Sequence, residues 1–413
     1  MRHINDNTIG SAGRPARQNT GTDQPRRVKP DEANNSNAFT GVRRFRTHCI
    51  PTPYSTTRFT GGTAPPESEQ MAKSVARLKD IALQTGFSVN TVSLALRGST
   101  RIADETRTLI LGAAERLNYL PNQVAQSLVR RETRSVGLIL TDLKNPVLTA
   151  VAQAVELELS KRGYTTLFAT SNNTLSVEAR MIETFRARRA DGMLIFPCSH
   201  RRLDHIRALR KRNYPVVLLV GDPDAGIDAV CMDERAGAFK AVAHLINNGH
   251  QRIALIDGAA TLGNTEKQEG YRRAHALIGL TPDPRLMLDP RGASVAAGFW
   301  AMDALSGRKL GFSAVFAAND SLALGALRYC SKNGLRVPQD VAIVGFDNIE
   351  FGEYAVTPIS TIHYDVERVA SLAIERVLEL IGVVGELPAP RVTEVEPELV
   401  VRESSNQRFQ AIG

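Results

Sequence analysis

The 413-residue chain is 43% hydrophobic and 23% charged, an ordinary globular balance, and its length predicts two or three domains rather than one core. No apolar run reaches the roughly 18 residues of a membrane helix, and the polar N-terminus lacks the apolar core of a secretory signal, so no membrane is expected and the expected location is cytoplasmic. The net charge of +8 is uneven: residues 1–70 carry +4, residues 71–134 carry +5 and the remainder −1, as if a polyanion-binding front were joined to a neutral body.

Cys49, Cys198, Cys231 and Cys330 lie far apart with no C-x-x-C pair, which argues against a disulfide framework or a zinc knuckle. The histidines do not cluster with carboxylates at metal spacing. No metal or cofactor is expected.

Residues 1–72, rich in Asn, Thr, Ser, Pro, Gly and Arg, show no sustained apolar periodicity and read as a disordered basic extension. Met71 stands just before the first regular segment. It is either the translation start, or the segment ahead of it is a weakly basic arm.

Residues 73–120 predict three short helices. Leu78, Ile81 and Ala82 have the spacing of a buried helical face, and Gly86 breaks that helix. Ser88 caps the next, which turns Val92, Ala95 and Leu96 inward; Gly98 ends it. A third helix, about 104–118, is expected to bury Leu109, Ala113 and Leu117. Two short helices over 78–85 and 88–97 with a tight turn between them have helix-turn-helix spacing. In that motif the N-terminal residues of the second helix reach base edges in the major groove, here Val89, Asn90, Thr91 and Ser93. Asn suits adenine and Val a thymine methyl. Lys73, Arg77, Lys79, Arg97 and Arg101 are placed to neutralise phosphates of double-stranded DNA.

From Ser135 the texture becomes alternating strands and amphipathic helices. Strands are expected at 136–140, 166–169, 193–196, 216–220, 253–256, 314–317, 341–345 and 399–402. Helices are expected at 147–162, 177–188, 235–248 and 321–333. More than ten such units predict two doubly wound parallel-sheet lobes. Signs of an enzyme are poor, with no G-x-S-x-G elbow, H-E-x-x-H helix or Walker loop. The glycines at 258 and 263 lack the fingerprint spacing and read as a βα turn.

One resemblance covers everything after residue 72. Leu78–Lys79–Asp80–Ile81–Ala82, Gly86–Phe87–Ser88, Thr91–Val92–Ser93 and Asp104–Glu105–Thr106–Arg107 stand in the order of the lactose-repressor (LacI/GalR) head. Leu117–Asn118–Tyr119–Leu120–Pro121–Asn122 and Val124–Ala125–Gln126–Ser127–Leu128 continue it. The resemblance implies an all-α helix-turn-helix head at 73–120 and a hinge helix with linker at 121–134. It also implies a two-lobed α/β effector-binding and dimerisation domain of periplasmic-binding-protein type at 135–403, with a tail at 404–413. In the hinge it implies that Leu128 wedges into a minor-groove step, with Asn122, Ala125 and Gln126 against the groove. A plain linker helix is the competing reading.

In the effector domain the resemblance places Asn145, Ser199, Lys267, Asn319 and Asp347 around a ligand cleft. Such groups suit a hydroxyl-rich or anionic ligand, a sugar or sugar acid. Asp320 either caps the helix that follows it or reaches the ligand. Four positions depart from the family pattern. Leu94 replaces a base-contacting Arg, Ala103 a capping Ser or Thr, Lys267 an Arg, and Ala293 an aromatic. The function expected is that of a repressor, a homodimer on a near-palindromic operator, answering a small-molecule effector. No heptad repeat follows the last strand, so a dimer rather than a zippered tetramer is expected.

Overall fold

The structure is a computed structural model, and it describes residues 76–120, 132–221, 225–258 and 263–407. The predicted hinge contacts Asn122, Ala125, Gln126 and Leu128, and also Lys73, lie outside these residues.

The head is three helices, α1 (Leu78–Thr85), α2 (Val89–Leu96) and α3 (Asp104–Arg116). Their core is Ile81, Val92, Ala95, Ile110, Ala113 and Ala114, with Leu78, Ala82, Leu96 and Leu117 packed against it. One expected core residue fails. Leu109 is 61% exposed and Ile110 takes its place, because α3 presents the 110, 113, 114, 117 stripe rather than 109, 113, 117. Ala103 gives α3 no side-chain cap, and Asp104 does not replace it; its carboxylate binds Arg107 at 2.8 Å. The same guanidinium donates to Ser99 O and Ile102 O, tying the loop before α3 to the helix.

The body begins with β1 (Ser135–Leu140), α4 (Pro146–Lys161), β2 (Thr165–Thr170), α5 (Leu175–Ala187), β3 (Gly192–Ile195), α6 (Asp204–Arg210), β4 (Val216–Leu218) and β5 (Asp228–Met232). It continues with α7 (Glu234–Asn247), β6 (Ile253–Ile256), α8 (Glu266–Ala276), β7 (Met287–Leu288), α9 (Val295–Gly307), β8 (Ala314–Ala317), α10 (Asp320–Lys332) and β9 (Ala342–Val344). Last come α11 (Glu350–Glu353), β10 (Thr361–His363), α12 (Val366–Ile381), β11 (Val392–Val395) and β12 (Glu398–Val400).

Two parallel sheets result, as expected from the βα texture. The first lobe has the order β11-β5-β4-β3-β1-β2 and the second β7-β6-β8-β9, with β10 and β12 as an antiparallel pair beside it. The chain passes between lobes three times: at Asp233, between β10 and α12, and between β11 and β12. Asp233 and Asp365 cap α7 and α12 directly after two of these passages, accepting the N–H groups of Ala236 and Arg368 at 2.8 and 2.9 Å. At the third, Lys240 holds Glu396 and the Pro397 carbonyl, each at 2.8 Å.

The return of α12 to the first lobe is fixed by a buried charge cluster. Asp228, fully buried on β5, receives Arg376 of α12 at 2.6 Å and Arg210 of α6 at 3.1 Å. The packed body also runs past the expected limit at residue 403. Ser404 and Ser405 are fully buried, and Ser404 Oγ donates to Ile343 O at 2.6 Å.

Candidate functional site

The reading helix is placed by its cap. Ser88 Oγ accepts the Thr91 N–H at 3.1 Å and lies 2.8 Å from Thr91 Oγ1. Gly86 makes the turn before it with φ 74°, the left-handed region that glycine enters without a Cβ clash. With Val92 and Ala95 buried against α1 and α3, the opposite face carries Val89, 46% exposed, and Asn90, also exposed. Thr91 and Ser93 are half-buried, and the Thr91 hydroxyl is engaged in the cap. Asn90 is therefore the exposed amide of this helix. Arg97 bends its Nε back to Ser93 O at 3.1 Å, while Arg77, Lys79 and Arg101 stand in the open around it. Leu94 is half-buried.

In the body, residues of both lobes line a cavity of about 100 Å³. Four of the five expected ligand residues meet there: Asn145, Lys267, Asn319 and Asp347. Both asparagines are helix caps. Asn145 Oδ1 accepts the Val147 N–H at 3.1 Å and Asn319 Oδ1 the Leu322 N–H at 2.8 Å, which leaves their Nδ2 groups as donors. Ser199 is not among the lining residues; its Oγ accepts the Arg202 N–H at 3.3 Å. The N–H of the neighbouring Cys198 donates to buried Glu178 at 2.7 Å.

The sequence reading missed the acidic part of the lining: Glu234 and Glu266, with Asn264 and Tyr364. Glu234 accepts Lys267 Nζ at 2.8 Å on one oxygen and Asn264 Nδ2 at 2.6 Å on the other. Lys267 also sits 4.3 Å over the Phe346 ring. Burial works to raise Glu234, but Lys267 holds its carboxyl below the ordinary range. Burial likewise works to lower Lys267, yet Glu234 and then Asp347 keep its ammonium above the ordinary range. The cleft's cation is thus already neutralised.

Asp347 stands in the opposite condition. Burial pushes its carboxyl well up, against the pull of Lys267. Glu266 is pushed up to about 7, first by burial and then by Glu234, with Arg235 opposing. A carboxyl whose folded value is raised holds its proton more tightly in the folded state. Its stabilising contribution is complete below the unfolded value of 4.5 and disappears as pH rises through about 7. Replacing Glu266 by Gln is therefore expected to flatten the fall in melting temperature between pH 5 and pH 8. A variant whose pH profile matches that of the parent protein would refute this assignment.

Residues 77–122 match the model described as bacterial regulatory proteins, lacI family, and residues 242–405 match that of a periplasmic binding protein-like domain. Over 341 residues the chain is 33% identical to the HTH-type transcriptional repressor PurR of Aliivibrio fischeri, an alignment covering 81% of this chain and the whole of that protein. This chain belongs to the lacI family of bacterial regulatory proteins. As a family member it is a DNA-binding transcription regulator that responds to a ligand. The family's PurR of Pasteurella multocida is 31% identical over 338 residues, covering 81% of this chain and the whole of that one.

Among solved structures, the lac repressor dimer bound to operator and an anti-inducer superposes with a TM-score of 0.72 at 24% identity, over 80% of this chain and 99% of that one. It shares the fold. The transcriptional regulator CelR in complex with cellobiose is 29% identical with a TM-score of 0.60, again over 80% of this chain and 99% of that one. Among the described residues of this family member, no helix is long and apolar enough to cross a membrane.

Proposed function

We propose that the protein is a repressor that binds a near-palindromic operator as a homodimer in the cytoplasm and responds to a neutral, hydroxyl-rich metabolite such as a sugar. Asn90 reads base edges, with Val89, Thr91 and Ser93 beside it. Arg97 and Arg101 face phosphates, and Leu128 enters a minor-groove step flanked by Asn122, Ala125 and Gln126. Asn145, Lys267, Asn319 and Asp347 bind the effector, and Ser199 does so only if its loop shifts.

The observation that carries the effector class is the cleft's charge. Three carboxyl groups, Glu234, Glu266 and Asp347, line the cavity with a single ammonium, Lys267, which already pairs with Glu234, the one of the three held below its ordinary range. With Lys267 already paired to Glu234, an anionic ligand would find no free cation among the described lining residues, whereas the carboxyl groups of Glu266 and Asp347, both raised in the fold, can accept from and donate to hydroxyls. Of the two classes expected from the sequence, the neutral sugar fits and the sugar acid does not. The relative whose structure holds cellobiose supports the same reading. Thermal melts with cellobiose, D-glucose, D-glucosamine and D-gluconate test it. A ligand at one hundred times its Kd adds about 2.7 kcal/mol to stability, a shift of several degrees. A neutral sugar is expected to give that shift; a shift from D-gluconate alone would overturn the charge argument.

A further inference from the structure

The 345–349 loop brings Asp347 to the cavity in a backbone conformation that needs external support. Asp347 has φ 105° and Asn348 φ 56°, two consecutive residues with side chains in the region that favours glycine. Three consecutive N–H groups of this loop are each taken by a neighbour. Asp347 N–H donates to Ile362 O at 2.8 Å, Asn348 N–H to Thr361 Oγ1 at 3.2 Å, and Ile349 N–H to Asp320 Oδ2 at 2.9 Å. The Thr361 hydroxyl in turn donates to Asp320 Oδ1 at 2.7 Å. One carboxylate therefore holds Ile349 directly and Asn348 through Thr361.

Asp320 is fully buried at the start of α10, next to the cavity-lining Asn319, and is not among the lining residues itself. Asn319 supplies the helix cap, so Asp320 neither caps α10 nor lines the cavity, the two roles the sequence left open. The loop is shaped to receive it. A Cβ at Gly345 would collide with Asp320 Oδ1, so the backbone approaches the carboxylate as only glycine allows. On the far side Arg402 donates to Asn348 Oδ1 at 2.9 Å and to Ile359 O at 2.9 Å, closing the frame around Asp347.

We propose that Asp320 is a positioning residue for the effector site, holding the 345–349 loop so that the Asp347 carboxylate faces the cavity. The role rests on the reading of Asp347 as an effector contact. The test uses no effector, so its failure is distinguishable from failure of that reading.

Amide hydrogen exchange in the full chain would be followed at Asn348 and Ile349, with β1 and α4 of the other lobe as reference. In Asp320→Ala, loss of two bonds to a buried carboxyl group is expected to accelerate exchange at both amides by about ten- to a hundredfold, while the reference is unchanged. Asp320→Asn keeps one acceptor for Ile349 and one polar contact to Thr361, and is expected to restore most of the protection. Thr361→Val is expected to accelerate exchange at Asn348 more than at Ile349, and it carries the test if Asp320→Ala does not fold. Unchanged exchange at Ile349 in Asp320→Ala, equal acceleration in the reference elements, or no rescue by Asp320→Asn would each overturn the proposal.

Discussion

Replacing Lys267 by Met is expected to destabilise the protein by about 3 kcal/mol, the low end for breaking a buried ion pair by removing one partner. The loss arises at Glu234. Its Oε1 accepts Lys267 Nζ at 2.8 Å, and without that ammonium the Glu234 carboxylate keeps only Asn264 as a hydrogen-bond partner, with no cation among the described residues lining the cleft. Met keeps the length of the stem and its contact with Phe346, so the effect reports charge rather than a cavity. The double variant Lys267→Met with Glu234→Gln is expected to recover most of the loss, because it removes the stranded charge with its partner. Urea midpoints of the two single variants and the double variant measure the coupling. A Lys267→Met protein within 0.5 kcal/mol of the parent, on the order of an ordinary surface change, would mean that the pair is not the cleft's organising charge.

The second large effect is expected at the operator. Asn90→Ala removes the one exposed amide on the reading face of α2 and is expected to weaken specific binding by about 1–3 kcal/mol, roughly 5- to 150-fold. Its salt dependence should be unchanged, since Asn90 carries no charge. Arg101→Ala, by contrast, is expected to lower the salt slope by about one while leaving base preference intact. Leu128→Ala is expected to weaken operator binding as Asn90→Ala does, without altering the melting shift given by a sugar. The operator itself comes from selecting bound sequences out of random duplex DNA, and Asn90→Ala is then titrated against it at fixed salt. Equal affinity of parent and Asn90→Ala for that site would remove Asn90 from base readout.

Both predictions depend on residues that local sequence exposes to different degrees. The head was legible because its signals are local: Ser88 caps within three residues, Gly86 turns within one, and the buried stripe repeats every turn. Its one error, Leu109 for Ile110, arose because both residues are apolar and adjacent. Only the angle at which α3 lies on α1 and α2 selects between them. Strands β6 and β8 were read at their observed limits, since a central strand buried on both faces is a short apolar run bounded by polar turns.

What the amino-acid sequence determined by itself is the order of parts: a basic helix-turn-helix head, two βα lobes behind it, and polar residues at the ends of strands where a cleft forms. Of the five residues to which the family resemblance pointed, Asn145, Lys267, Asn319 and Asp347 line the cavity and Ser199 does not; each of the four lies in a loop or at a helix start. Only the tertiary structure decided how those groups are balanced. Glu234 meets Lys267 across 33 residues, and Asp320 meets Thr361 across 41. No local period links such pairs. The same holds for the three passages between lobes, which bring β11 beside β5 and α12 onto Asp228. A buried charge is tolerated only where its partners converge, and convergence is a property of the folded chain rather than of any segment in it.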